Sequence, residues 1–353
     1  MNKLLYIGPN KLQLMKSHNT PDFRSKVVYA DSVFKYVELW FSRKKQKYDK
    51  SIYYWQQAHA FYEASCQLPI SARPLTAYYC CMNATKALLA MNADISLTNI
   101  SHGVSSARMS QIVNLQDCEI RLSNAGVYGE LAKIIEGHNL SQEKYNVKEL
   151  LYNIPCVHRT FCLTHSKQTE LYIHINPIGF VCSNDMHKRL SFEFTIEKER
   201  FPRLQTHSLP LIFERIPENL TDNTRYYHFR TKRVNNCKWN IHRPLTERLN
   251  NLTRYYKKIR PYFQYVVGDD LYWYVKKALP VTQTINRSPI LLIYAALHWL
   301  SELVRYNPEI FEYYMNSSEN WLFTDVVDHG LRQFIDEISS EITGANIMRS
   351  SFI

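Results

Sequence analysis

The densest run of groups able to do chemistry is NIPCVHRTFCLTH, residues 153–165, where Cys156, His158, Arg159, Cys162 and His165 fall close together. Arg159 and His165 form an R-x5-H pair. Such a pair can cleave a phosphodiester without metal: the guanidinium fork holds the phosphate and stabilises the charge it gains. The imidazole moves the 2′-hydroxyl proton. His158, and His102 in the earlier SHGV stretch, are the other imidazoles that could share the cavity of Arg159. Six positions along a helix turn through about 240°. The pairing therefore needs a kink or a helix end to bring the two side chains together.

The same run carries other readings. Cys156, His158, Cys162 and His165 are zinc-ligand types, but their spacings are tight, and a structural zinc site joins two separated knuckles. No metal and no cofactor is expected. Cys162 with a distant histidine could make a nucleophilic dyad, although nothing in the sequence singles that pair out. In the plain structural reading Cys156 and Cys162 are small buried residues, Arg159 is buried against an acidic partner, and His165 lies at the surface. With 9 Gly in the whole chain, a glycine-rich phosphate loop is not expected.

A second candidate surface is basic and aromatic. TRYYHFRTKRVNNCKW sets Arg225, Arg230, Lys232, Arg233 and Lys238 among Tyr226, Tyr227, Phe229 and Trp239. TRYYKKIRPYF adds Arg254, Lys257, Lys258 and Arg260 beside Tyr255 and Tyr256. Cations neutralise phosphates and rings stack on unpaired bases. RNA or single-stranded DNA is the partner this pattern suggests. The competing reading is an ordinary strand with a charged outer face, several of its rings pointing inward.

These groups must be held by elements that the hydrophobic pattern outlines. The stretch 73–91, RPLTAYYCCMNATKALLAM, is apolar on nearly every side, with Pro74 in its first turn, so it reads as a helix inside a bundle. Its Tyr78, Tyr79 and Cys80 read as core packing. Ahead of it, Asp31 or Ser32 can cap a helix with Val33, Val37, Trp40 and Phe41 inward. That helix runs into the cations Arg43, Lys44, Lys45, Lys47 and Lys50, and a second follows over about 52–67. His102-Gly103 marks a turn before a short helix. Further helices are expected over 126–137 and from Asn146, where Glu149 completes a capping-box pattern.

The period then changes to two. Leu171, Ile173 and Ile175 alternate with polar residues, Asn176-Pro177 with Gly179 reads as a turn, and Leu190–Ile196 alternates again. Shorter extended runs follow at 209–216 and 226–231. Helices return near Leu245, at PILLIYAALHWLSELVRY, and over about 321–343 ending at Gly344. The expectation is a mostly helical α+β fold: an N-terminal helical part, 1–166, a small antiparallel β region, 167–244, and a C-terminal helical part, 245–353, packed on the first.

Bulk properties bound the rest. The chain has 353 residues and 45% hydrophobic content, enough for a sizeable core. Its net charge of +11 favours an anionic partner, nucleic acid first. The opening MNKLLYIGPNK is too short an apolar run for a signal peptide, and no stretch approaches the roughly 18 apolar residues that span a bilayer. Eight cysteines without paired short spacings fit reduced thiols in the cytoplasm.

Four stretches, RPLTAYYCCMNATKALL at 73–89, SHGV at 101–104, NIPCVHRTFCLT at 153–164 and LSELVRYNPEIF at 300–311, resemble the YaaC-like family of bacterial proteins. That resemblance implies a mostly helical cytosolic protein and names no reaction. The YY…A…ALL helix and the R-x5-H spacing are also similar to HEPN-type proteins, which implies RNA cleavage and a place in antiphage or toxin systems. Spacing and the sheet inserted after the motif depart from the usual HEPN pattern, and both count against Arg159 and His165 as catalytic residues. Two functions are therefore carried forward. One is a nucleic-acid-directed effector, a metal-independent ribonuclease in bacterial antiphage defence, its polar site formed across a dimer. The other is a non-catalytic scaffold or sensor subunit that binds a protein partner.

Overall fold

The computed structural model describes residues 2–44, 48–92, 94–107, 111, 114–137, 141–217, 225–268, 270–279 and 284–349. Lys45 and Lys47, and much of the segment expected to be a short helix after His102-Gly103, lie outside them. Helices are numbered along the chain: α1 Val33–Ser42, α2 Asp49–Gln67, α3 Arg73–Leu89, α4 Gly126–Glu136, α5 Val147–Tyr152, α6 His158–Thr164, α7 Leu245–Ile259, α8 Pro289–Tyr306, α9 Pro308–Met315, α10 Glu319–Asp325 and α11 Leu331–Thr343. The fold is mixed α+β with several sheets. It divides into a sheet unit, Met1–Val27 with Glu170–Pro280 and Gly344–Asn346, and a helical unit made of the rest.

In the sheet unit the strands run in the order Phe213–Arg215, Tyr226–Thr231, Leu190–Glu197, Tyr172–Cys182, Leu271–Lys276 and Phe263–Val267, all antiparallel. Lys3–Leu4 adds to the far end of Tyr172–Cys182. Alternation puts Ile173, Phe180, Phe192 and Phe194 into one core with Leu252, Tyr255, Tyr256 and Ile259 of α7. Each such ring or aliphatic chain contributes about 1.5–3 kcal/mol on leaving water.

Three expectations are corrected here. Asn176-Pro177 is not a turn: the strand runs through, with a bulge between Pro177 and Gly179. Gly179, at φ +142°, takes the backbone conformation that the register shift requires, and a bulge tolerates the missing N–H of Pro177. The β region does not stop at 244, because Phe263–Val267 and Leu271–Lys276 form a hairpin that continues the same sheet. And α7 packs into this core, so it does not belong to a C-terminal helical part.

Buried Arg260 ties the unit together. Its Nε donates to the Met15 carbonyl at 3.1 Å, and its Nη groups to the carbonyls of Phe263 and Lys16. A charge this deep is tolerated because its donors meet carbonyl oxygens.

In the helical unit Ser32 caps α1 by accepting from the Lys35 N–H, and Pro74 sits in the first turn of α3. α3 packs against α2, α8 and α11. The two apolar helices therefore meet, with the Tyr78 and Tyr294 rings 5.5 Å apart. The Asn146 side chain caps α5 by accepting from the Glu149 N–H at 2.8 Å.

An unexpected three-stranded sheet joins Val104–Ser106, Glu119–Leu122 and Glu143–Asn146. Arg287 pins it to the start of α8: Nη1 is 2.7 Å from Glu136, Nε is 3.0 Å from Glu143, and the Ser288 N–H donates to Glu136. The single final helix expected over 321–343 is instead α10 and α11 joined by a π-helical turn, Val326–Gly330.

Candidate functional site

His102 is held by its backbone before its side chain does anything. The N–H groups of Val127 and Tyr128, in the first turn of α4, donate to the carbonyls of Ser101 and His102 at 2.8 and 3.1 Å. Gly103 has φ +81°, and a Cβ there would stand 2.4 Å from the Ala125 carbonyl oxygen. Only glycine allows the SHG turn to lie this close to the start of α4.

The partners of His102 come from α3 and α8. The hydroxyl of Tyr78 is hydrogen-bonded to His102 Nδ1, and it lies 3.3 Å from the hydroxyl of Tyr294. His298 stacks edge-on against Tyr78, with ring centroids 4.9 Å apart, and its ring lies 5.8 Å from that of His102. Tyr294, His298 and Glu302 follow one another at i, i+4 and i+8, so they stand in a row on one face of α8. Glu302 accepts from the Ser106 hydroxyl at 2.6 Å and lies 3.7 Å from His298 Nδ1. That buried nitrogen makes no hydrogen bond among the described residues. Ser106 and Glu302 also line a cavity of about 550 Å³ with Ala107, Trp299, Leu303 and Tyr306.

The electrostatics suit proton transfer. Loss of water, then the charges of Arg305 and Lys86, push the exposed-edge His102 below its ordinary value, with Glu302 opposing. Burial, His102 and Arg305 hold His298 down to about 3. Burial raises the phenols of Tyr78 and Tyr294 well above their ordinary range. All four groups are thus neutral near pH 7. The Tyr78 hydroxyl can donate to Nδ1, or accept from it while donating to Tyr294. These two arrangements leave Nε2 of His102 as a donor or as an acceptor, the exchange a general acid–base group performs.

The run 153–165 is dispersed by contrast. Arg159 lies on the exposed face of α6. His165, at the end of α6, sits 3.5 Å from Glu319 and against the Phe161 ring, at 4.6 Å. An exposed Arg159 does not fit the expectation of a buried one. His158 is buried, with Nδ1 2.9 Å from the Tyr152 carbonyl and Nε2 3.4 Å from Cys162. Cys156 is half-buried, and loss of water with the charge of Glu337 raises its thiol. His158 and Cys162 are together, whereas Cys156 and His165 keep other company.

On the sheet unit, Arg225 and Arg230 are paired with Glu197 and Glu214, at 2.8 and 2.5 Å. Arg233 donates to Asn2 at 3.0 Å. Lys232, Lys238, Arg254, Lys257 and Lys258 are exposed. Tyr227, Phe229, Trp239, Tyr255 and Tyr256 are in the core and offer no face for stacking. The reason is period: in Tyr226–Thr231 the aromatic positions 227 and 229 fall on the core side.

Reading by sequence density missed Tyr78, His298, Glu302 and Ser106. A signal for two of them was present: His298 and Glu302 stand one turn apart in the largely apolar run of α8, and a polar group in such a helix needs a partner.

A family model described as YaaC-like Protein matches residues 20–342. The chain belongs to the YaaC-like family. No curated protein and no solved structure matches it. The match spans every residue of the His102 cluster, so this YaaC-like chain carries the cluster inside the family's own extent. Among its described residues no helix is long and apolar enough to cross a membrane.

Proposed function

We propose that this YaaC-like protein is a nucleic-acid-directed effector that cleaves RNA without a metal, with His102 and Tyr78 as its acid–base groups in place of Arg159 and His165. The observation that carries this reading is the bond between His102 Nδ1 and the Tyr78 hydroxyl, continued to Tyr294. It gives one exposed-edge imidazole a neutral proton relay beside the charge of Arg305. In this mechanism His102 takes the 2′-hydroxyl proton, the freed oxygen attacks phosphorus, and the 5′-oxygen leaves with a returned proton. Arg305 and Lys86 offset the charge that grows on the phosphate. Lys232, Lys238, Arg254, Lys257 and Lys258 add sequence-independent affinity for the backbone. Bacterial antiphage defence is the setting in which such an activity serves.

The test is end-labelled RNA in the presence of a chelator. Wild type cleaves, His102→Ala loses at least about 100-fold, the usual worth of a general base, and Arg159→Ala with His165→Ala together changes the rate by less than about threefold. Cleavage that survives His102→Ala defeats the assignment.

A second reading, a non-catalytic interaction or sensor subunit, is supported by exposed aromatics on successive helices: Tyr306 at 67%, Tyr313 at 51% and Trp321 at 73%. Such a set marks a docking surface for a protein partner or a second copy of the chain. Wild-type protein that leaves RNA intact, and that dissociates from a partner or from itself on Tyr313→Ala with Trp321→Ala, selects this reading.

A further inference from the structure

The His158–Cys162 pair on α6 takes no part in the chemistry proposed above. Its geometry is that of a thiol with its base. The carbonyl of Tyr152 can only accept, so His158 Nδ1, at 2.9 Å, carries the ring proton and donates it. Nε2 is then the acceptor, and the Cys162 Sγ lies 3.4 Å from it. One helical turn separates the two residues, so the helix itself sets the approach. The Tyr152 ring, 5.1 Å from the imidazole, fixes its plane. His158 is buried, and Cys162, as a residue, is half-buried rather than sealed in the core.

The other thiols differ. Burial pushes Cys80, Cys81, Cys118, Cys156, Cys182 and Cys237 upward, away from the reactive thiolate. Cys66 is exposed and serves as an internal comparator.

We propose that Cys162 is a reactive thiol, with His158 as its general base, whose substrate class is a hydroperoxide. A hydroperoxide is an electrophile that needs no binding cleft. The Cys162 S–H gives its proton to Nε2, and the sulfur attacks one peroxide oxygen. The O–O bond breaks, and the departing hydroxide takes the proton back from the imidazolium to leave as water. Sulfur is oxidised by two electrons to the sulfenic acid and the peroxide is reduced by two.

The test treats the purified full chain with hydrogen peroxide and a dimedone trap, and counts adducts at each cysteine by peptide mass spectrometry. Cys162 is expected to be trapped at least about tenfold faster than Cys66. His158→Gln, which keeps a hydrogen bond but cannot take the proton, is expected to bring Cys162 down to the rate of Cys66 and leave Cys66 unchanged. A second measurement needs no variant: the advantage of Cys162 should vanish in urea, where the Tyr152–His158–Cys162 geometry is gone. Cys162 reacting no faster than Cys66 in the native protein, a rate indifferent to His158→Gln, or an advantage that persists in urea each overturns the proposal.

Discussion

Two places in the helical unit each hold a pair of histidines among other polar groups, and they behave in opposite ways. The segment 153–165 gathers two histidines, two cysteines and an arginine in sequence, yet the turn of α6 sends Arg159 to solvent, His165 to Glu319 and His158 inward. The His102 cluster gathers residues 78, 102, 294, 298 and 302 from three remote stretches, and their rings and hydroxyls meet. Nearness along a chain is converted into nearness in space only when the helical phase agrees. Nearness across a helix–helix contact needs no sequence proximity, only apolar surfaces that force two elements together.

The comparison can be broken first at Arg287, which holds the start of α8 to Glu136 and Glu143 with only 8% of its side chain exposed. Arg287→Met strands two part-buried carboxylates and should cost about 3–5 kcal/mol in chemical denaturation. Arg159→Ala, at an exposed position of the dispersed segment, should cost at most about 1 kcal/mol. Equal costs for the two would erase the distinction.

A sharper probe is pH. His298 has a folded value of about 3, below its ordinary 6.5, because burial first, then His102 and Arg305, oppose its charge. Between about pH 6.5 and 3 the unfolded chain binds this proton and the folded chain does not, so stability falls as pH drops through that window. The loss attributable to His298 reaches on the order of 4 kcal/mol by its lower end. Wild type and His298→Asn should therefore converge in stability as pH is lowered from 7 to 4, and curves that stay parallel refute this account of the residue.

The smallest effect concerns the turn that presents His102. Gly103→Ala brings a Cβ to 2.4 Å from the Ala125 carbonyl oxygen at φ +81°, and should cost about 1–3 kcal/mol. Gly137→Ala, at φ +75° with open space around its Cβ, should cost about 1 kcal/mol. Thermal melts of the two variants separate close approach from backbone strain alone.

Much of the fold was legible because local physics decided it. The Ser32 and Asn146 caps, the prolines at the starts of α3 and α8, and the alternation of 190–196 each act over a few residues, and each stands where the pattern placed it. The hairpin of Phe263–Val267 with Leu271–Lys276 was also written in the sequence, as two extended aromatic runs on either side of Gly268-Asp269-Asp270, and was masked by the helical signal of α7 before it. The bulge at Pro177–Gly179 was not legible. A proline and a glycine signal both a turn and a bulge, and only the partner strand chooses between them.

The candidate site divides the same way. Tyr78 in an apolar helix reads as core, and by burial it is core. Its hydroxyl meets an imidazole only because His102 is delivered to it by the SHG turn on α4.

By itself the sequence determined the family, the basic charge, the helix caps and the two apolar helices, since composition and short-range periodicity are properties of neighbours along the chain. Only the tertiary structure decided that α3 and α8 bring Tyr78, His298 and Glu302 around His102, and that the rings of the basic strands turn inward. Those outcomes depend on which faces are buried against which, and burial is settled by the whole core at once.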